Sequence, residues 1–192
     1  MRLIWTALAL ILALSFPVAR AASPVFDINV FYFSDAMSFD GDDSSYSRIF
    51  WDIMVGMPLN SRKNWILGWN YDSYSFVDNP ATETQLSIKG MGPKLIWYMN
   101  RERTWVLGLV YNLITTGAYT SASVNDVELR GTSLRAEVGY TAPLSESLLM
   151  GVKLNYYKAS FSQKVTGGTT LEDVSDGRTV IYPSFTMTYR FD

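Results

Sequence analysis

The chain has 192 residues, 16 of them basic and 18 acidic, with neither histidine nor cysteine. These absences exclude Ser-His-Asp and Cys-His relays, histidine-bound zinc and any disulfide framework. The slight acidic excess argues against nucleic acid as a partner.

Residues 1–21 read as a cleaved secretory signal peptide. Arg2 gives the basic start, residues 3–16 the apolar stretch, and Ala19-Arg20-Ala21 a small-x-small cleavage site. That stretch is shorter than the ~20 residues a spanning helix needs. Residues 22–192 then form one domain. They contain no second run of spanning length, so any membrane crossing falls to strands.

Period-two alternation predicts eight strands. Strand one, 25–34, sets Phe26, Ile28, Val30 and Tyr32 against Asp27, Asn29, Phe31 and Phe33. Strand two, 46–57, sets Ile49, Trp51, Ile53, Val55 and Met57 against Arg48, Phe50, Asp52, Met54 and Gly56. Strand three, 65–76, opens Trp65-Ile66-Leu67-Gly68-Trp69-Asn70-Tyr71, and strand five, 105–116, repeats this as Trp105-Val106-Leu107-Gly108-Leu109-Val110-Tyr111. Strand four, 85–99, changes phase. Leu86 and Ile88 fit one apolar face and Leu95, Trp97 and Met99 the other, so Gly90-Met91-Gly92-Pro93 suits a register-resetting bulge that turns Lys94 inward. Strands six (128–141), seven (148–160) and eight (179–191) alternate again. Most runs reach ten residues, the ~9–11 of a tilted bilayer-crossing strand.

The connections alternate too. Residues 60–63, 100–103 and 143–146 are tight polar turns, whereas 36–45, 77–84, 117–127 and 162–178 are longer polar loops. Short turns on one side and long loops on the other are the habit of transmembrane barrels. A forty-residue repeat with two long strands is not a propeller blade, which packs four strands into that length. A soluble eight-stranded barrel would point the apolar faces inward. It would then crowd Trp51, Trp65, Trp69, Trp97 and Trp105 into an interior only wide enough for a filled core or one small ligand. A transmembrane barrel is the expected fold.

On that reading Trp65, Trp97, Trp105 and Tyr140 form an aromatic belt beside the short turns. Tyr71, Tyr111 and Tyr156, with Tyr32, Tyr46 and Tyr157, form a second belt near the long loops. The opposite faces place Asp27, Arg48, Asp52, Asp72, Lys94, Arg135, Glu137, Lys153 and Arg190 in the lumen, as a salt-bridged plug or a polar path for small ions. Asp52 and Glu137 are the candidate acid–base pair, with ion pairing the simpler account. Asp40-Gly41-Asp42-Asp43 lacks the EF-hand order and reads as a solvated acidic loop, and Gly167-Gly168 as a hairpin tip. Neither a cofactor nor a metal is expected.

Phe185, Met187, Tyr189 and Phe191 resemble the alternating, aromatic-ending assembly signal of outer-membrane barrels, with Asp192 following as a departure. The Arg135-x-Glu137-x-Gly139-Tyr140 run also resembles a strand pattern common in such proteins. With the leader and the eight strands, the chain resembles the small OmpA/OmpX-like outer-membrane β-barrels of Gram-negative bacteria. The resemblance implies an outer-membrane location. Its implied partners are the assembly machinery and outer-membrane lipids, lipopolysaccharide included. The role is expected to be non-enzymatic, structural or surface-interacting through the long loops, with an unidentified loop ligand. A narrow channel for ions or apolar solutes is the alternative. A histidine-free lipid-modifying enzyme ranks last, since known outer-membrane lipid hydrolases and omptin-type proteases rely on histidine.

Overall fold

Eight antiparallel strands form, each hydrogen-bonded to the next: β1 (Val25–Phe39), β2 (Asp42–Pro58), β3 (Trp65–Asn79), β4 (Thr84–Tyr98), β5 (Trp105–Ser121), β6 (Val124–Pro143), β7 (Leu148–Thr166) and β8 (Thr170–Arg190). β8 pairs back onto β1, closing an all-β, up-and-down barrel. The computed structural model describes residues 23–39, 42–79, 84–121, 124–166 and 170–191. The expected signal peptide, Asp40-Gly41 and Gly167-Gly168 lie outside the described residues.

The two faces of the wall are chemically opposite. Outward residues are apolar and open: Val152 is 52% exposed, Leu109 49% and Phe185 71%. Inward ones include Lys94 and Arg135, both fully buried.

Two of the short turns share one geometry. The Asn60 side-chain oxygen accepts from the backbone N–H groups of Asn64 and Trp65. Asn100 repeats this with Thr104 and Trp105. Lys63 and Arg103 occupy the left-handed region there, with φ of 52° and 58°. The forty-residue repeat therefore begins in the turns, with an Asn five positions before each Trp.

Among the described residues, the four expected long loops are strand. β1 and β2 stay paired out to Phe39↔Asp42, and β7 and β8 to Thr166↔Thr170. Pairing continues because inward side chains in and beside these segments, Tyr119, Val127, Leu129 and Phe161 among them, join or pack on the buried cluster at the hairpin end, which supports a ladder that a lone hairpin would hold only marginally. The 162–178 segment carries irregularities beside Ser162, which break the simple alternation that would have marked it as strand.

The bulge expected at Gly90–Pro93 is not in β4. β3 and β4 pair without interruption from Trp65↔Trp97 to Asp78↔Thr84. The β4–β5 register does shift at the expected segment, between Met91 and Lys94, but the extra residue lies in β5, whose pairing with β6 shifts between Asn112 and Thr115. Leu113 and Ile114 are consequently both exposed. Lys94 points inward on a regular strand. The apparent phase change in β4 is a change in lumen chemistry: Ile88 and Lys94 share the inward face at different heights.

The β1–β8 seam runs only from Val25↔Arg190 to Val30↔Phe185. Nearby, Pro183 lacks an N–H to donate, as suits an edge. Side chains take over at this point, with the Phe31 and Tyr182 rings packed 5.6 Å apart.

Candidate functional site

Seven of the expected lumen charges meet in one layer. Lys94 Nζ lies 2.7 Å from Asp27 Oδ2, 3.2 Å from Asp52 Oδ1 and 3.0 Å from Glu137 Oε1. Arg135 reaches Glu137 at 2.8 Å, Asp52 at 2.9 Å and Asp72 at 3.7 Å. Lys153 pairs with Asp27 at 3.1 Å and Glu137 at 3.2 Å. Three cations thus face four carboxylates contributed by six strands.

Neutral groups complete the layer. Thr188 donates to Asp27 at 2.6 Å, Asn29 to Asp27 and Asp52, and Asn112 to Asp72 at 2.7 Å. Strands supply these groups because alternation points every second side chain inward, and glycine on a neighbouring strand leaves room. A Cβ on Gly108 would sit 2.6 Å from Glu137 Oε2.

Arg48 and Arg190 are not members of this network. Arg48 sits toward the hairpin end, half-buried, where it pairs with Asp78 and donates to the carbonyls of Ser47 and Val77. Arg190 lies at the turn end and donates to the Glu146 carbonyl at 2.8 Å. Both share the inward face. Arg48 is separated from Asp52 by inward Phe50, and Arg190, one inward position from Thr188, turns its guanidinium to the Glu146 carbonyl rather than to Asp27.

Apolar layers cover the charges on both sides, a feature the sequence reading missed. Toward the hairpins, Phe50, Tyr74, Phe76, Ile88, Tyr157, Phe161 and Tyr182 pack as one cluster. Tyr74 stacks on Tyr157 at 3.9 Å while its hydroxyl accepts from Arg135 at 2.9 Å, joining this layer to the network. Toward the turns, Val25, Met54, Ile66, Ile96, Tyr98, Val106 and Leu149 form the second cluster. The available signal was the polarity reversal within β3, where outward Trp69 and Tyr71 give way to Ser73 and Ser75 as Tyr74 and Phe76 turn inward.

The aromatics occupy both ends of the outer wall. Trp65 stacks on Trp97 with ring centroids 5.1 Å apart, and Trp105 meets Tyr140 edge-on at 5.6 Å, all beside the short turns. Tyr71 packs against Trp51, and Tyr111 and Tyr156 are exposed further toward the hairpins. Two tyrosines differ from expectation. Tyr157 is fully buried in the lumen, and Tyr46 shares the inward face with Arg48, because strand parity rather than residue type decides the side. Phe185, Met187, Tyr189 and Phe191 all face outward, and Phe191 contacts Phe26 at 5.4 Å.

Chemically, this arrangement locks charge in place. Asp52 and Glu137 share Arg135 and Lys94 as partners, so neither faces an open space as a free acid or base. Among the described residues no group of three or more Asp or Glu is placed to hold a metal ion.

No family model matches the chain, and no curated protein matches it. Solved structures do. The crystal structure of Neisserial surface protein A (NspA) superposes with a TM-score of 0.54 at 15% identity, covering 88% of this chain and 96% of that one. The outer membrane protein AlkL, determined in lipid bilayers, superposes at 0.43 with 15% identity, covering 92% and 95%. The NspA likeness shows the fold, that of the eight-stranded outer-membrane β-barrels.

Proposed function

We propose that this chain spans the outer membrane of a Gram-negative bacterium, is exported through residues 1–21, and acts without catalysis. Its role is envelope-structural or surface-interacting, with the extended hairpins presented outside the cell. The observation that carries this reading is the inverted polarity of the wall. An Arg or Lys on a lipid-facing surface costs about 2–4 kcal/mol at mid-bilayer, whereas Lys94, Arg135 and Lys153 here are turned inward and paired with carboxylates. The aromatic belts at two heights suit the two membrane interfaces. Outward Phe185, Met187, Tyr189 and Phe191 suit recognition by the assembly machinery.

The same geometry opposes the channel reading. An ion crossing the lumen would have to pass an aromatic layer, an ion-pair layer and an aliphatic layer, each built of buried side chains. The carboxylates that a catalyst would need are held by cations, which favours a structural lumen over an active site.

Heat-modifiability tests the proposal. Outer-membrane fractions run unboiled and boiled on a denaturing gel should give two mobilities, as a detergent-resistant barrel unfolds only on heating. One mobility, with the protein soluble in buffer, would reject it.

A further inference from the structure

We propose that the outer wall of β4, β5 and β6 binds the phosphate of a phosphorylated outer-leaflet glycolipid between Lys89 and Arg130. The inference rests on the membrane reading above.

Register places the site. Lys89 on β4 lies directly opposite Thr116 on β5, and Thr116 directly opposite Arg130 on β6. All three face outward and are exposed. Neighbouring strands lie ~4.8 Å apart, so the two cations flank the Thr116 hydroxyl about 10 Å from each other. Small residues between them, Ser87 and Ala118 among them, leave a depression of about 270 Å³.

The height of the site selects the ligand. One outward step toward the turns from Lys89 and Thr116 come Met91 and Ile114, both exposed and apolar, with Leu113 beside Ile114. Leu134 is exposed below Arg130 on β6. Acyl chains meet this apolar wall while an anionic headgroup meets the cations. Among the described residues the one acid lining the depression is Glu128, 3.5 Å from Arg130, with the two side chains 65% and 57% exposed. Such an exposed pair is weak and readily exchanged for a phosphate. On β7 the residue opposite Arg130 is the uncharged Gln163, and outward Lys158, opposite Leu134, lies outside the site. On β1, β2 and β3 the outward residues just beyond the apolar belt are Ser34, Ser47 and Ser73, so the cationic pair is confined to one side of the barrel.

The test uses the refolded mature chain in phosphatidylcholine nanodiscs doped with either lipid A or dephosphorylated lipid A. Native mass spectrometry reads retained lipid, and gel heat-modifiability is measured on the same samples. Wild type should retain lipid A about tenfold over the dephosphorylated form. K89Q/R130Q should abolish that preference, and R62Q/R101Q, which removes two cations at the short turns, should keep it. Equal retention of both lipids, an unchanged preference in K89Q/R130Q, or an equal loss in R62Q/R101Q overturns the site while a heat-modifiable wild type leaves the membrane reading standing. A wild type without heat-modifiability overturns both.

Discussion

Lys94 Nζ and Asp27 Oδ2 meet at 2.7 Å with both side chains fully buried, although 67 residues separate them in the chain. The contact spans the lumen from β4 to β1, across three consecutive ladders. Buried pairs of this kind are often no more stabilising than apolar packing. Their specific effect is on register. A one-residue slip would turn Lys94 outward, into the apolar wall.

Removing one member of the network should be costly. Arg135→Leu strips cationic partners from Asp52, Asp72 and Glu137, and the loss should be about 3–5 kcal/mol by urea unfolding in lipid vesicles. Adding Asp52→Asn and Glu137→Gln should recover part of it. An unchanged midpoint for Arg135→Leu would count against the network.

Planar-bilayer recordings of the wild type should show no stable conductance steps, because both apolar layers block the lumen. Thinning the aromatic layer with Phe50→Ala and Tyr74→Ala should raise leakage. Regular single-channel steps in the unaltered protein would contradict a sealed interior.

Glycine substitutions should separate crowded from roomier positions. Gly108→Ala puts a methyl group 2.6 Å from Glu137 Oε2, an oxygen already held by Lys153, and should cost about 1–3 kcal/mol. At Gly117 the nearest atoms, on Leu129 and Phe161, are 3.2 Å away. Gly117→Ala should therefore be the milder change. The reverse order in matched unfolding curves would refute this geometry.

The repeated turn predicts effects of opposite sign. Asn100→Ala removes the acceptor of two backbone N–H groups and should destabilise by about 1 kcal/mol. Arg103→Gly relieves a left-handed φ of 58° and should stabilise by up to about 1 kcal/mol. Refolding and unfolding titrations of both variants check the pair; two changes of the same sign would not fit.

The stacked Trp65–Trp97 pair should show a coupling of about 0.5–1.5 kcal/mol in a double-mutant cycle with alanine. Additive single effects would mean the rings merely share an interface.

Strand number, the closed up-and-down fold and the inward turn of Asp27, Asp52, Asp72 and Glu137 were legible because alternation is a local, period-two property. So was the pairing of short turns with tryptophans. Two things were not local. The bulge belongs to β5, opposite the glycines and proline of β4 that suggested it, because register is settled by both neighbours of a strand. The hairpins extend further than the alternation showed, because largely polar residues fill their outward face while scattered inward residues such as Tyr119, Val127 and Phe161 join or pack on the buried cluster only once the strands are side by side.

The sequence by itself determined which residues share a face, since neighbouring side chains on a strand must point oppositely. Only the tertiary structure decided which of them meet. Closure of β8 onto β1 brings charges from distant strands to one height, leaves Arg48 and Arg190 at the ends, and stacks aromatic and aliphatic layers above and below. Height around a closed barrel depends on the combined register of all eight ladders, and no single stretch of the chain contains it.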